Sequence, residues 1–275
     1  MIKICCNINQ DAGEGLGSRI QCHLASKLIC KNLGFEYLET PISNLAHNYE
    51  GVDDTEFCKQ YNDYFEIKQG SSWPSLPITE SSPFAEALTD VEAFTREDLI
   101  SLATDENVIY RISRSSSKRT LDSSINILNE KHAISKSPTN DRVAIHLRVI
   151  NQFDVDLSGG TLEKCRQYYA QGNFVEDRIL RLINNLDGEI DIYTQSGYTD
   201  SSHSNRLDFS KLERLSNVTM HVDCGITELI QGCVDAGTYV MSNSSLSYIC
   251  YLLRKGPTMA TESFWHILDE NVRRY

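Results

Sequence analysis

Long apolar runs are missing from this sequence. Its uninterrupted hydrophobic stretches are only a few residues each, far short of the roughly 20 that a bilayer-spanning helix needs, so no transmembrane segment is expected. The N-terminal stretch Met1-Ile2-Lys3-Ile4-Cys5-Cys6-Asn7 does not have the anatomy of a secretory signal. A cytoplasmic protein is the expectation. No Cys-x-x-Cys pair occurs among the nine cysteines, and nine is odd. Cys5, Cys6, Cys22, Cys30, Cys233 and Cys250 lie in apolar stretches, where a thiol serves as a small core residue. Disulfides are therefore not expected, and a reducing compartment is. The seven histidines are scattered. The nearest approach to a metal set, His221-Val222-Asp223-Cys224, matches no common ligand spacing and reads as a strand end, so no metal is expected. Basic charge is also scarce. With 26 Lys and Arg against 38 Asp and Glu the net charge is −12, which opposes nonspecific attraction to nucleic acid or to an anionic membrane. A phosphate would have to be held by a few local groups.

What is present is an alternation of short apolar strands and amphipathic helices. A chain of 275 residues suits one large or two small domains; two are expected, over 1–135 and 136–275. Ile2 to Ile8 reads as a buried strand, Gly13, Gly15 and Gly17 as the loop after it, and Ile20, Leu24 and Leu28, with Ala25 and Ile29, as one buried face of a helix that Gly34 ends. Phe35 to Glu39 is a second strand. Ser43 to Pro83 shows no sustained periodicity and predicts loops and short helices. Thr95 with Asp98 three residues later marks a helix start, and the Ser-rich Arg111 to Ser124 predicts a mobile connection or acceptor-side loop rather than a dedicated phosphate site. In the second half, strands are predicted over Val143–Val149, Glu189–Tyr193, Val218–Val222 and Thr238–Met241, and helices near Val175–Asn185, Ile226–Asp235 and Ser245–Arg254. The amphipathic Ser263–Arg274 predicts a last helix, free to pack back on the first lobe. Such alternation implies largely parallel sheets covered on both faces.

In an open α/β sheet, ligands sit beyond the carboxyl ends of the strands, and three clusters fall there. The first is Gly13-Glu14-Gly15-Leu16-Gly17-Ser18-Arg19. Its glycines either let the backbone approach an anion at the helix start or form a tight turn. The second is His146-Leu147-Arg148, where alternation puts His146 and Arg148 on one side of a strand. The arginine either grips a diphosphate with its fork of donors or pairs with a structural carboxylate. The third is Ser242-Asn243-Ser244-Ser245-Leu246-Ser247-Tyr248, whose hydroxyls and helix-start N–H groups either cradle a phosphate or cap the helix.

Taken in order, these clusters resemble the superfamily of α-1,2-, α-1,6- and protein O-fucosyltransferases. Gly15-Leu16-Gly17-Ser18-Arg19 is similar to the family's Gly-Leu-Gly-Asn-Gln/Arg opening, His146-Leu147-Arg148 to its His-x-Arg motif, and Met241 through Tyr248 to the Ser-Asn-Ser-Ser-Phe-Ser-Trp segment of the α-1,2 enzymes. The resemblance implies a GT-B-like α/β fold of two facing Rossmann-like lobes with mostly parallel sheets. The acceptor would lie toward the first lobe and a GDP-sugar on the second. It also implies inverting transfer, of fucose from GDP-fucose to a glycan or other hydroxyl, with no metal and no cofactor beyond that donor substrate. Donor-binding residues carried over are Gly15, Gly17, Arg19, His146, Arg148, Ser242, Asn243, Ser244 and Ser245. Arg148 would also serve catalysis, and Glu14 aligns with the Glu-Gly that supplies the base in some protein O-fucosyltransferases; Asp154 and Asp156 compete for that role. Where the family's α-1,2 and α-1,6 members usually follow the arginine with a second basic residue and a nearby Asp, this sequence has Val149-Ile150-Asn151.

Two other readings stay open. An NAD(P)-dependent oxidoreductase is suggested by the first strand-glycine-helix turn with Glu36 or Glu39 about 20 residues on, though the glycines do not complete Gly-x-Gly-x-x-Gly. A noncatalytic GDP-sugar or glycan binder is suggested by the altered residues after Arg148.

Overall fold

The computed structural model describes residues 1–6, 15–43, 45, 53–68, 73–88, 95–112, 136–148, 176–194, 209–261, 264, 268 and 270–275. The chain divides into two compact units, Met1–Ala133 and Ile134–Tyr275. Each is an α/β unit built on a sheet whose described pairings are all parallel, the layering that the alternation predicts. Among the described residues no helix is long and apolar enough to cross a membrane, and the eight described cysteines are free thiols.

In the first unit the sheet runs β2 (Glu36–Tyr37), β1 (Lys3–Cys6), β4 (Ile109–Ile112), β3 (Ile78–Thr79). Ile4, Cys5 and Cys6 are buried because both faces of β1 are covered. The helix α1 (Leu16–Leu33) follows Gly15, whose backbone is extended, and stops at Gly34, a left-handed residue at φ 72° whose N–H reaches the Cys30 carbonyl. Periodicity predicts one buried face. The structure instead buries nearly the whole circumference, Arg19 at 2% exposed, Gln21 at 0% and His23 at 1% included. Some of these polar side chains find partners inside the unit. Ser26 donates back to the Cys22 carbonyl at 2.9 Å, His23 Nδ1 lies 3.1 Å from the Tyr37 hydroxyl, and that hydroxyl lies 3.2 Å from Cys6 Sγ. Burial, with Lys27's charge second, lowers His23 to about 3, so it is neutral.

The stretch predicted as loops and short helices holds an 11-residue helix, α2 (Asp54–Tyr64). Asp53 caps it, accepting from the N–H groups of Thr55 and Glu56. It buries Phe57, Cys58, Tyr61 and Asn62, a helical spacing obscured by the polar residues between them. Asn62 then clasps Ile42 through two 2.9 Å bonds to its backbone. After α3 (Pro83–Ala87), α4 (Arg96–Leu102) begins with the reciprocal Thr95–Asp98 cap that the sequence marks. Arg111, read as the start of a mobile connection, is instead a strand residue in β4, paired with Glu80 at 2.6 Å. Residues 113–124 of that expectation lie outside the described ones.

In the second unit the sheet order is β10 (Arg273–Arg274), β9 (Thr258–Ala260), β8 (Thr238–Val240), β5 (Val143–Leu147), β6 (Ile190–Thr194), β7 (Val218–Val222). One face, with Val143, Ile145, Ile190 and Ile192, packs on Ile179, Leu182 and Ile183 of α5 (Glu176–Ile183) and Leu212 of α6 (Ser210–Glu213). The other carries Ala144, His146, Asp191, Tyr193 and His221 in register. The helix α7 (Ile226–Asp235) packs on β5 and on α8 (Ser245–Leu252). Gly232 permits a close approach there, since a Cβ at that position would sit 2.0 Å from the Tyr193 hydroxyl oxygen.

The polar face is paired. Arg142 forks onto both Asp191 oxygens, Nη2 at 2.8 Å from Oδ1, while His221 Nε2 donates to Oδ1 at 3.0 Å and its Nδ1 lies 3.5 Å from Glu228. Burial pushes the Asp191 carboxyl up, but the hydrogen bonds and charges of Arg142 and His221 outweigh it and hold it below its ordinary value. A carboxyl lowered by folding stabilises the fold above its unfolded value of about 4, and that contribution is lost as pH falls through the folded value. Asp191→Asn is therefore expected to be less stable than the parent near neutral pH and to converge with it in acid. Urea midpoints followed from about pH 7 to about pH 3 check this, and a constant gap between the two proteins would contradict it.

The last helix predicted, Ser263–Arg274, does not form among the described residues. Phe264 and Leu268 lie outside any helix, and Arg273–Arg274 add to the sheet as the edge strand β10. Tertiary partners override the amphipathic pattern. The Tyr275 N–H reaches the Ala260 carbonyl at 3.1 Å, Arg274 Nη1 the Thr261 carbonyl at 2.9 Å, and the Tyr275 hydroxyl the Met241 carbonyl at 2.9 Å.

Candidate functional site

Strands β5 and β8 are parallel neighbours, with Val143 opposite Thr238 and Ile145 opposite Val240. Their carboxyl ends therefore lie at one edge of the sheet, and this juxtaposes two clusters far apart in sequence. His146 is the fourth residue of β5, and Arg148 follows the strand. Met241, Ser242 and Asn243 follow β8, and Ser244 opens α8 with an extended backbone.

Hydrogen bonds lock the two clusters together. The Arg148 N–H donates to Ser242 Oγ at 3.0 Å, and Ser242 Oγ–H donates in turn to the His146 carbonyl. The Arg148 guanidinium reaches the Asn243 carbonyl through Nη1 at 3.4 Å. This sets a half-buried cation beside the start of α8. Ser244 Oγ accepts from the Leu246 N–H at 3.2 Å, so this serine caps the helix. Thr261, from the end of β9, donates to Asn243 Oδ1 at 2.7 Å and fixes that amide's orientation. His146 Nδ1 lies 2.6 Å from Ser247 Oγ. Burial, with the Arg148 charge second, lowers His146 to about 3, so it stands neutral beside the arginine.

Of the residues predicted to bind a donor, the structure thus brings His146, Arg148, Ser242, Asn243, Ser244 and Ser245 to one place in the second unit. Gly15, Gly17 and Arg19 belong to the first unit, at the entry to α1 and in its first turns, with Arg19 buried. Glu14, Asp154 and Asp156 lie outside the described residues. Two contributors were not singled out from sequence. Thr261 had no signal, because β9 is three residues long and follows a proline. Ser247 stands within the third cluster, but its position in the first turn of α8 is what aims it at His146.

A fixed guanidinium beside a helix start and a neutral imidazole can hold an anion and bear added negative charge on it. The described residues include no cluster of His, Cys, Asp and Glu suited to a metal ion, and His221 spends its ring nitrogens on Asp191 and Glu228.

No family model matches the chain, and no curated protein matches it. Among solved structures it is similar to POFUT1 in complex with GDP, at 13% identity and a TM-score of 0.45 over 94% of this chain and 98% of that one. It is likewise similar to POFUT1 in complex with GDP-fucose, at 12% identity and a TM-score of 0.47 over 94% of this chain and 97% of that one. The apo form of POFUT1 aligns at 14% identity and a TM-score of 0.46 over the same shares. At such identity no residue's role passes from those proteins to this chain.

Proposed function

We propose that this protein is an inverting glycosyltransferase that transfers a sugar, fucose first among candidates, from a GDP-sugar to a hydroxyl of a glycan or similar acceptor. The observation that carries the reading is the meeting of His146-Leu147-Arg148 with Ser242-Asn243-Ser244-Ser245 at the carboxyl ends of β5 and β8. In such a transfer the bond from the anomeric carbon to the diphosphate breaks as the acceptor oxygen bonds to that carbon. Negative charge therefore grows on the departing diphosphate, and a proton must leave the acceptor. Arg148 and the opening N–H groups of α8 are suited to the first task, since donors already in place stabilise charge without reorganising. Glu14 is assigned the second, as general base. The first unit is assigned the acceptor and the second the nucleotide. The free thiols suit a reducing, cytoplasmic setting.

Calorimetric titration with GDP and GDP-fucose, followed by incubation with GDP-fucose on a glycan array, tests the reading. Binding with multiple turnover is the expected result. Absence of GDP binding at millimolar concentration would overturn it, and a clear NADH fluorescence signal alongside silence toward GDP would replace it with the oxidoreductase. Tight GDP binding without turnover on a broad acceptor panel would reduce the protein to a GDP-sugar binder.

A further inference from the structure

We propose that Ser247 is a positioning residue that holds His146 in the Nε2–H form, presenting a neutral N–H donor to an acceptor oxygen of the nucleotide beside Arg148. The nucleotide in this statement rests on the function proposed above; the state of His146 does not.

Three hydrogen bonds close a ring among His146, Ser242 and Ser247. Ser242 Oγ–H donates to the His146 carbonyl, the Ser242 N–H donates to Ser247 Oγ at 3.2 Å, and Ser247 Oγ lies 2.6 Å from His146 Nδ1. The last contact could run in either direction, and the hydroxyl decides it. Ser247 is fully buried. Its oxygen already accepts the Ser242 N–H, and among the described residues His146 Nδ1 is the acceptor within reach of its proton. If Nδ1 carried hydrogen and donated to Ser247, the serine would have a buried O–H with nowhere to go, at a cost of order 1–3 kcal/mol. With Ser247 as donor, every polar group of the ring is satisfied. The imidazole is neutral, so a lone pair on Nδ1 places its one hydrogen on Nε2.

That nitrogen makes no hydrogen bond among the described residues, and His146 as a whole residue is 7% exposed. Arg148, two residues on, projects from the same side of the chain, and its charge acts on the imidazole. A ligand oxygen held by Arg148 would thus have an uncharged donor beside it. Ser247 thereby converts a ring that could equally have been an acceptor into a fixed donor.

The test reads the ring directly. Protein labelled with 15N-histidine, with His146→Gln used to assign the signal, is expected to show His146 with a bare Nδ1 and a protonated Nε2 near neutral pH, without nucleotide. Hydrogen on Nδ1 in the parent protein would overturn the proposal. Ser247→Ala should move the population toward Nδ1–H and weaken GDP binding about tenfold, while Ser247→Thr, which keeps the hydroxyl, should restore both. A loss of stability alone, with the ring's tautomer unchanged, would give Ser247 a packing role and also overturn it. A shifted tautomer with unchanged GDP affinity would sink the donation to the ligand. A parent protein with the expected tautomer but no GDP binding would reject the nucleotide reading and leave the action of Ser247 on His146 supported.

Discussion

Arg148→Ala is expected to lower transfer from GDP-fucose by about two to three orders of magnitude, the range seen when one preorganised donor to a developing anion is removed. The fold should survive. The bond tying Arg148 to Ser242 comes from its backbone N–H, which alanine retains. The side chain's bond to the Asn243 carbonyl, through Nη1, is long at 3.4 Å. Arg148→Lys should recover only part of the activity, because an ammonium supplies a point charge without the planar fork that matches phosphate oxygens. Initial rates and GDP titrations on parent and variants check this, with thermal melts as the control for folding. A loss in transfer of less than about threefold from Arg148→Ala would remove the arginine from the site.

The second large effect lies in the core of the same unit. Arg254 is 1% exposed, and among the described residues no carboxylate pairs with it. Its guanidinium is coordinated by oxygens instead. Nη1 donates to the Gly256 carbonyl at 3.2 Å, the Pro257 carbonyl at 2.6 Å and Thr258 Oγ1 at 2.7 Å, and Nη2 donates to the carbonyls of Ala236 at 2.6 Å and Gly237 at 3.4 Å. The cation also stands 5.7 Å from the centroid of the Tyr239 ring. Burial lowers the Arg254 pKa despite these neighbours. One side chain therefore joins the end of α7, the turn into β8 and the turn into β9. Arg254→Met is expected to destabilise the protein by about 3–5 kcal/mol, since the buried Ala236 carbonyl and Thr258 hydroxyl lose their donor together with the partly buried carbonyls of Gly237, Gly256 and Pro257. Arg254→Lys should recover little, because an ammonium cannot span acceptors spaced for a fork. Urea unfolding measures both, and a loss under about 1 kcal/mol for the Met variant would show that water or backbone shifts replace the guanidinium.

Legibility from sequence followed how local the cause of each feature is. The strands β5 to β8 and the helices α5, α7 and α8 are written in short apolar runs and helical spacing, and they form within a few residues of where the pattern puts them. The cap at Thr95 and the stop at Gly34 are equally local. Misreadings arose where distant partners decide. The polar residues of α1 look like a solvent face until Tyr37 and Cys6 are brought against them, and the last segment looks helical until Ala260, Thr261 and Met241 claim its end. Arg254 is visible as the end of a helical pattern and nothing more, because its carbonyl partners lie in the connections into β8 and β9. At the candidate site, residue types alone indicated Arg148 and the serines. The orientation that Thr261 gives Asn243, and Ser247 gives His146, depends on strand neighbours that no spacing records.

The order of the strands also bears on how the chain reaches this state. A parallel neighbour cannot be supplied by a tight hairpin, and here the inner strands wait long for theirs. Lys3 pairs with Ile109 in one unit and Val143 with Thr238 in the other. During synthesis the apolar edges of β1 and β5 thus emerge well before the strands that cover them, a period in which they can stick to other chains. Contacts of such separation slow folding. Recombinant yield should accordingly respond more to growth temperature and chaperone supply than to surface substitutions.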